Sequence, residues 1–358
     1  MKKSQKPTLS HVAELAGVSV SAASMIMSGR EGVSFSPETV TKVMEAAKKL
    51  GYSSRVPRKT EAAREETRTV LVISPNVSNP YYATIIQAIE QTAKENDYDV
   101  LIYNTYRSPE DEVRILSLVE HLGISGVIFA MIPSALASAE RLSQRMPVVC
   151  IGDRDSYISI DTIETSNYVA GGLMARHLLE SGHRQIAYIS TTLDKNNSAR
   201  TKRLEGIRDA YQEEVPDFPV IVKYRDITPL YERNHILLEH AIGYELCSEC
   251  LQNKEITAFV GVNDMVCYGI MDAILDAGYK IPEDYSVGGF DNNFPSRFSA
   301  VSLTTVEHCI EDKGHNAFTI LYEKMSRDSQ SDVPQPITRI EYKQHLVVRN
   351  STGPARTR

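Results

Sequence analysis

The sequence lacks the features that are typical of secreted proteins, of membrane-spanning proteins and of proteins stabilised by disulfide bonds. Its five cysteines are an odd number without the spacing of a disulfide framework, which predicts a reducing compartment. No apolar run reaches the ~18 residues that a membrane-spanning helix needs. The basic start, Met1-Lys2-Lys3, is not followed by the apolar stretch of a secretory signal. We therefore expect a cytoplasmic protein without a membrane partner.

Signatures of catalysis and cofactor binding are equally scarce. The glycine pairs Gly171-Gly172 and Gly288-Gly289 lie outside any G-x-G-x-x-G pattern, and no glycine-rich loop ends in a Walker lysine. The motifs G-x-S-x-G and H-E-x-x-H are absent. Cys247 and Cys250 form a lone C-x-x-C with no second cysteine pair, which is weak evidence for a zinc site. The sequence predicts no catalytic residue, no cofactor and no metal.

Charge is distributed unevenly along the chain. Residues 1–60 hold ten Lys and Arg against four Asp and Glu, a charge of +6. The remaining residues hold 29 against 42, a charge of −13, so that the net charge is −7. A basic segment ahead of an acidic remainder predicts that the first segment binds a polyanion and the rest does not. Chance fluctuation in a short window is the alternative.

Three segments of the first 52 residues have helical periodicity. Thr8–Ala16 begins with a capping threonine and repeats apolar residues at helical spacing. Gly17-Val18-Ser19 interrupts the pattern, and Val20–Met27 resumes it. A third segment starts at Ser36-Pro37-Glu38 and ends at Gly51. Two short helices joined by a turn and braced by a third predict a helix-turn-helix DNA-binding domain over residues 1–52. A three-helix bundle for protein contact has the same periodicity.

The order of residues in this segment is specific. It contains Thr8-Leu9-x-x-Val12-Ala13-x-x-Ala16-Gly17-Val18-Ser19-Val20-Ser21-x-x-Ser24, then Gly51-Tyr52. In this order the segment resembles the DNA-binding head of the LacI/GalR (lactose-repressor/galactose-repressor) family of transcription regulators. The resemblance implies that Val20, Ser21 and Met25 face the bases. It also implies that Thr8, Ser19 and Ser24 hold phosphates.

Two features of the head and linker depart from this family. Met25 stands where an arginine is usual, and a thioether cannot grip guanine with the two hydrogen bonds of a guanidinium. Residues 53–68 have the polar, basic, proline-interrupted composition of a hinge linker. In the family such a hinge inserts a leucine into the minor groove, but this stretch contains no leucine. The resemblance therefore does not imply that this protein binds the usual operator of the family.

Residues 69–350 alternate short apolar runs with helix-like segments. This alternation predicts an α/β fold, with parallel sheets covered by helices on both faces. The predicted strands are Val70–Ser74, Val100–Asn104, Gly126–Ala130, Val148–Ile151, Ile186–Ser190, Ala258–Gly261 and Ser286–Phe290. The predicted helices are 81–95, 110–122, 167–181, 200–212, 265–277 and 308–325.

Aromatic and polar residues follow several of these strands. Tyr81-Tyr82 comes after the first strand, and Asn263-Asp264 and Asp291 follow two later strands. Ligands of parallel sheets bind beyond the carboxyl ends of the strands. Aromatic rings beside amides and carboxylates are typical of a site for a polyol. The alternative is that these acidic residues only cap the helices or turns that follow them.

The body carries a second set of ordered motifs. They include Asn79-Pro80-Tyr81-Tyr82, Gly182-His183-Arg184, Arg203-x-x-Gly206, Asn263-Asp264, Gly289-Phe290-Asp291 and Leu303-Thr304-Thr305-Val306. In this order the body resembles the LacI/GalR effector domain, which is similar to a two-lobed periplasmic sugar-binding protein. The segment 225–248 has no clear counterpart in that pattern.

The resemblance implies a ligand cleft between two lobes. The cleft would be lined by Tyr81, Tyr82, Arg203, Asn263 and Asp291, with Asp153 as a further acidic residue. Arg203 would offer a two-pronged donor to hydroxyls or to an anion. The first lobe is expected at about 69–164 and 295–325, and the second at about 165–294 and 326–350. Residues 351–358 are expected to form a tail.

These patterns together predict a transcription regulator, with an all-α helix-turn-helix head before a two-lobed, periplasmic-binding-protein-like α/β domain. We expect a homodimer on a palindromic site in double-stranded DNA, since a two-fold protein matches a two-fold site. A small effector, expected to be a sugar from the regulation of carbohydrate use, would switch DNA affinity. The alternatives are a sugar-binding protein for transport and an α/β enzyme, neither with a function on DNA.

Overall fold

The computed structural model describes residues 8–28, 35–50, 52, 68–119, 121–153, 158–194, 198–326 and 336–357. The chain divides into two compact units, Met1–Glu65 and Glu66–Arg358. The predicted hinge lies outside the described residues, except for Arg68.

The first unit contains the three predicted helices, α1 (Leu9–Ala16), α2 (Val20–Ser28) and α3 (Pro37–Leu50). Gly17 ends α1 in the left-handed conformation, with φ of 68°. The Ser19 hydroxyl accepts the backbone N–H of Ala22 at 3.1 Å and so caps α2. Buried alanines and valines of all three helices form one small core. The helix-turn-helix prediction for this unit is confirmed.

A helix that spans a membrane must be both long and apolar. No single helix in the described residues is both long enough and apolar enough to cross a membrane. The bent pair Leu9–Ala16 and Val20–Met27 passes the test together, by length and composition only.

The described residues of the second unit form two six-stranded sheets. The first has the order β11-β5-β4-β3-β1-β2, and all its neighbouring strands are parallel. Its strands are β1 (Thr69–Ser74), β2 (Asp99–Asn104), β3 (Gly126–Phe129), β4 (Val148–Asp153), β5 (Asp161–Thr165) and β11 (Arg339–Tyr342). We call this sheet and its helices the first lobe. The helices are α4 (Pro80–Glu95), α5 (Pro109–Leu118), α6 (Leu136–Ser143) and α12 (Ile310–Met325).

The second sheet has the order β12-β10-β9-β8-β6-β7, with only the β10–β12 pair antiparallel. Its strands are β6 (Ile186–Thr191), β7 (Ile221–Arg225), β8 (Ala258–Gly261), β9 (Ser286–Asp291), β10 (Thr304–Glu307) and β12 (Leu346–Val347). This sheet and its helices form the second lobe. The helices are α7 (Asn167–Glu180), α8 (Ser198–Glu214), α9 (Pro229–Asn234), α10 (Leu238–Cys250) and α11 (Asp264–Asp276). The predicted two-lobed α/β fold is confirmed.

The predicted lobe boundaries are wrong at two strands. β10, which lies within 295–325, pairs with β9 of the second sheet, and β11, which lies within 326–350, pairs with β5 of the first. The predicted tail is also part of the second lobe. The hydroxyl of Ser351 donates to the carbonyl oxygen of Val287 at 2.6 Å. A short strand where the chain passes from one lobe to the other has too little periodicity to predict which sheet it joins. Its pairing with a strand distant in sequence decides this.

Helices α7 and α8 pack so closely that glycine is required at their contact. A Cβ on Gly206 would lie 2.0 Å from the carbonyl oxygen of Tyr168, and a Cβ on Gly171 would lie 2.1 Å from that of Arg203. These are backbone atoms, which cannot move aside as the end of a side chain can. The two glycines therefore hold the first turns of α8, including Arg203, against α7.

We expect Gly206→Ala to lower the free energy of unfolding by about 1–3 kcal/mol, the usual range for overpacking. Gly172→Ala is the matched control, because its Cβ would meet only the Arg176 guanidinium, at 3.3 Å. Alanine is the better helix former, so the control is expected to be neutral or to stabilise the protein by up to ~1 kcal/mol. Urea unfolding of both variants measures the difference. Equal stabilities would contradict the close helix contact.

Candidate functional site

The carboxyl ends of strands from both sheets face one cavity of about 110 Å³ between the two lobes. All six residues predicted for the effector site line it: Tyr81, Tyr82, Asp153, Arg203, Asn263 and Asp291. They come from different elements of both lobes, because the ends of parallel strands collect at one edge of each sheet. The structure thus brings the whole predicted set together. The role of these residues as ligand contacts stays a prediction.

Arg203 lies on α8 and is only 8% exposed. Its Nε donates to Oδ1 of Asn167 at 2.7 Å, and its Nη1 donates to the carbonyl oxygen of Val262 at 2.5 Å. Its Nη2 lies 3.5 Å from Oδ1 of Asp291 and 3.4 Å from Nδ1 of His308. Protein groups therefore use most of its donors. Arg203 therefore positions polar groups of the cavity wall. Few of its N–H groups remain to form the pair of hydrogen bonds with a ligand that the resemblance implies.

Asp291 ends β9 with φ of 114°, a conformation that is strained for a residue with a Cβ. Burial raises the pKa of its carboxyl well above the usual range, and the nearby Arg203 opposes this rise. Asp264, one of the residues that follow β8, has a different role. Its carboxylate accepts from the hydroxyls of Ser296 and Thr305, each at 2.7 Å. Asp264 is therefore a structural acceptor and does not line the cavity.

Asp153 and Asn263 both line the cavity while holding other protein groups. Oδ1 of Asp153 accepts the backbone N–H and the side-chain amide of Asn167, both at 2.9 Å. Lys202 forms an ion pair with the second oxygen of Asp153. The Asn263 side chain accepts the backbone N–H of Val266 at 3.0 Å and so caps α11. The cap of α11 is thus Asn263 and not one of the acidic residues to which the alternative assigned capping.

Three charged residues of the cavity wall were not predicted from the sequence. Arg107 follows the end of β2, and its Nη2 donates to the hydroxyl of Tyr82 at 2.6 Å. Arg200 on α8 lies 3.7 Å from Glu239 on α10. Burial lowers the pKa of Arg200, and the charge of Arg107 adds to this effect. Arg107 could have been predicted as Asp291 was, because both lie at the carboxyl end of a strand. Glu239 lies in a segment without a recognised pattern.

Two further ionisable groups are buried here: His308, which lines the cavity, and Lys313, whose Nζ lies 5.9 Å from the ring centroid of Tyr81. The ring of His308 is buried, which lowers its pKa well below the usual value and keeps it neutral. Lys313 on α12 has no exposed surface, and its Nζ lies 3.3 Å from Oγ1 of Thr165. Burial lowers the pKa of Lys313 to about 8. A lysine in such a place keeps its charge at neutral pH only at a cost in stability.

The predicted DNA-contacting residues lie at the start of α1 and on α2. Thr8, Ser19, Val20, Ser21 and Ser24 are exposed, while Met25 is half-buried. The opposite face of α2 packs through Ala23 into the core of the head. Val20, Ser21 and Ser24 thus share one exposed face of α2, as expected for the face that a recognition helix turns towards the major groove. Their contacts with DNA remain predictions.

Comparison with known proteins agrees with this architecture. Residues 8–55 match the bacterial regulatory proteins of the lacI family, and residues 175–352 match a periplasmic binding protein-like domain. The HTH-type transcriptional regulator DegA of Bacillus subtilis is 29% identical over 98% of this chain and 100% of its own. The HTH-type transcriptional repressor PurR of Haemophilus influenzae is 29% identical over 96% of this chain and 98% of its own.

A solved structure has the same fold as most of this chain. It is a LacI family transcriptional regulator from Enterococcus faecium with bound ribose, with a TM-score of 0.67 at 22% identity. It covers 80% of this chain and 100% of its own. A helix-turn-helix head before a periplasmic-binding-protein-like domain defines a DNA-binding transcription regulator, and the curated relatives are regulators, not enzymes. The chain thus carries a head that matches the lacI family at residues 8–55 and a periplasmic binding protein-like domain at residues 175–352.

Proposed function

We propose that this regulator represses genes of carbohydrate use and that a sugar, or a sugar derivative, bound in the cavity switches its affinity for DNA. The observation that carries the proposal is the chemistry of the cavity wall. Three carboxylates line it together with three guanidinium groups: Asp153, Glu239 and Asp291, and Arg107, Arg200 and Arg203. Opposite charges in equal number favour a neutral ligand rich in hydroxyls, since each hydroxyl both donates and accepts.

The two tyrosines support the same class of ligand. Their rings lie edge to face, with centroids 5.0 Å apart, and both line the cavity. Ring faces suit the C–H faces of a sugar, while charged planar groups suit its hydroxyls. The E. faecium regulator, with the same fold, was solved with ribose bound. A ligand held by both lobes would favour one relative orientation of the lobes and so couple the cavity to the heads.

A homodimer on a palindromic operator is the second part of the proposal. β2 is the edge strand of the first sheet, and its side chains Leu101 and Ile102 are 46% and 44% exposed. Leu122, close by, is also exposed. An unpaired edge with apolar side chains is typical of a surface that pairs with another chain. We place the dimer contact there, so that two heads can bind two half-sites.

The test combines ligand binding with DNA binding in the full chain. D-ribose, D-xylose, D-glucose, D-galactose and D-fructose are compared with adenine by thermal shift. A sugar at about 100 times its Kd should stabilise the protein by about 2.7 kcal/mol. The same sugar should change the affinity for DNA from the protein's own promoter at least ~5-fold in a gel shift. The mass of the complex on one palindrome should correspond to two chains.

Asp291→Asn is the matched variant for this test. It keeps the shape of the side chain and lies far in sequence from the head, so DNA affinity without sugar should remain. The sugar response should be lost, because a carboxylate acceptor has been replaced by an amide. A panel in which no sugar alters either melting or DNA binding would overturn the sugar-switched function. Binding without preference over random DNA would overturn the operator proposal.

A further inference from the structure

A segment of the second lobe reaches across the cleft to the first lobe. It consists of residues 228–239, which include α9 and the first two residues of α10, and we call it the bridging segment. Its near end is anchored in its own lobe, since the backbone N–H of Ile227 donates to the Thr192 hydroxyl at 2.7 Å. Thr228 caps α9 by accepting the backbone N–H of Tyr231. The first of these hydrogen bonds fixes the start of the bridging segment to the second lobe, and the second stabilises its helix α9.

Two side chains of α9 contact the first lobe outside the cavity wall. Oε1 of Glu232 accepts the side-chain amide of Asn76 at 3.1 Å. Nη2 of Arg233 lies 2.9 Å from Oδ2 of Asp111, and its guanidinium lies 5.4 Å from the ring centroid of Tyr106. Neither Glu232 nor Arg233 lines the cavity itself. These contacts join the bridging segment to the first lobe.

Glu239, at the far end of the segment, forms part of the cavity wall. Its Oε2 accepts from the side-chain amides of Asn79 in the first lobe, at 2.8 Å, and Asn263 in the second, at 3.0 Å. Its Oε1 lies 3.7 Å from Arg200. Beyond Glu239, the next cavity, which Glu232 and Asn76 also line, measures only about 20 Å³. The carboxylate therefore joins both lobes where the main cavity ends.

We propose that the bridging segment sets the size of the effector by closing the cleft around one sugar ring and excluding a second. The proposal rests on the sugar-switched function proposed above. Glu239 lines both the cavity of about 110 Å³ and the one of about 20 Å³, so the free space narrows sharply beyond its carboxylate. A second ring would occupy the positions of Glu239 and Glu232. Glu239 is also placed to accept a hydroxyl of the single ring.

The test compares one-ring and two-ring ligands by isothermal titration calorimetry. The monosaccharides are the five named above, and the disaccharides are cellobiose, maltose, lactose and sucrose. The wild-type protein should bind its best monosaccharide at least about 100-fold more tightly than any disaccharide, because exclusion by a clash discriminates strongly. The double variant Glu232→Ala/Arg233→Ala removes two contacts with the first lobe and leaves the cavity wall intact. In this variant the preference should fall at least ~10-fold.

Two controls separate the bridging contacts from general effects. Arg225→Ala/Glu249→Ala removes a similar exposed ion pair within the second lobe, 2.9 Å long, and should keep the wild-type preference. Asn76→Ala/Asp111→Ala removes the same bridging contacts from the side of the first lobe and should reproduce the loss of preference. If the preference for a monosaccharide over a disaccharide falls in both bridging variants, misfolding of one variant cannot explain the fall.

Each contrary result has a distinct meaning. A disaccharide bound by the wild type as tightly as the best monosaccharide would overturn the size limit and leave the sugar-switched function standing. An unchanged preference in both bridging variants would show that the segment does not set the limit. If no sugar of either kind binds, the proposed function fails, and the size limit fails with it.

Discussion

Arg203→Ala is expected to lower the free energy of unfolding by about 3–5 kcal/mol, the range for removing one partner of a buried ion pair. The guanidinium holds the side chain of Asn167, the carbonyl oxygen of Val262 and the carboxylate of Asp291. Alanine leaves all three without this donor in a buried place, where each unpaired polar group is costly. Urea unfolding of the full chain measures the loss. Asp291→Asn, which keeps an oxygen acceptor for Arg203, is the milder control.

The effect of Arg203→Ala should depend on pH, and the sign follows from Asp291. Burial raises the pKa of this carboxyl, and Arg203 counteracts the rise, so the variant should raise the pKa further. A carboxyl whose pKa is higher in the folded state loses stability as pH rises through the range between the unfolded and folded values. The loss caused by Arg203→Ala should therefore be larger at pH 8 than at pH 5. An equal loss at both pH values would assign the effect to packing rather than to charge.

Lys313→Met is expected to have the opposite sign and to stabilise the protein. Lys313 is fully buried, and burial lowers its pKa from 10.5 to about 8. This difference corresponds to roughly 3 kcal/mol of unfavourable free energy in the charged form. Methionine has similar length and needs no hydration. We expect a gain of about 2–3 kcal/mol at pH 7, because the loss of a cation near Asp291 offsets part of the benefit.

The pH dependence of this gain provides the sharper measurement. Between pH 8 and 10.5 the unfolded chain binds more protons at Lys313 than the folded chain, so the stability of the wild type rises with pH there. The advantage of Lys313→Met should be greatest below pH 8 and shrink towards pH 10.5. Lys94→Met, at an exposed lysine of α4, is the control and should stay within ~0.5 kcal/mol of the wild type at every pH. An advantage that does not change with pH would rule out a titrating lysine as its source.

Local patterns in the sequence predicted much of the architecture. The turn at Gly17 and the cap at Ser19 are local signals, and the three helices of the head follow from them. Apolar runs located seven of the strands, since strands buried on both faces need continuous apolar stretches. Tyr81 and Asp291 could be placed in one site because the carboxyl ends of parallel strands gather at one edge. The shared family motifs extended this reasoning to Arg203.

Other features depended on contacts between distant parts of the chain. β10 and β11 are each four residues long, and only pairing with β9 and β5 determines which sheet each one joins. Arg203 donates most of its N–H groups to other protein groups, and Glu239 joins the two lobes. Neither contact could be predicted from the neighbouring residues in the sequence. The sequence by itself determined the helix-turn-helix head, the α/β class and six of the residues that meet at the cavity. Only the tertiary structure decided which hydrogen bonds and ion pairs those residues form and how their pKa values shift. These properties depend on contacts and burial, which arise only when distant segments pack together.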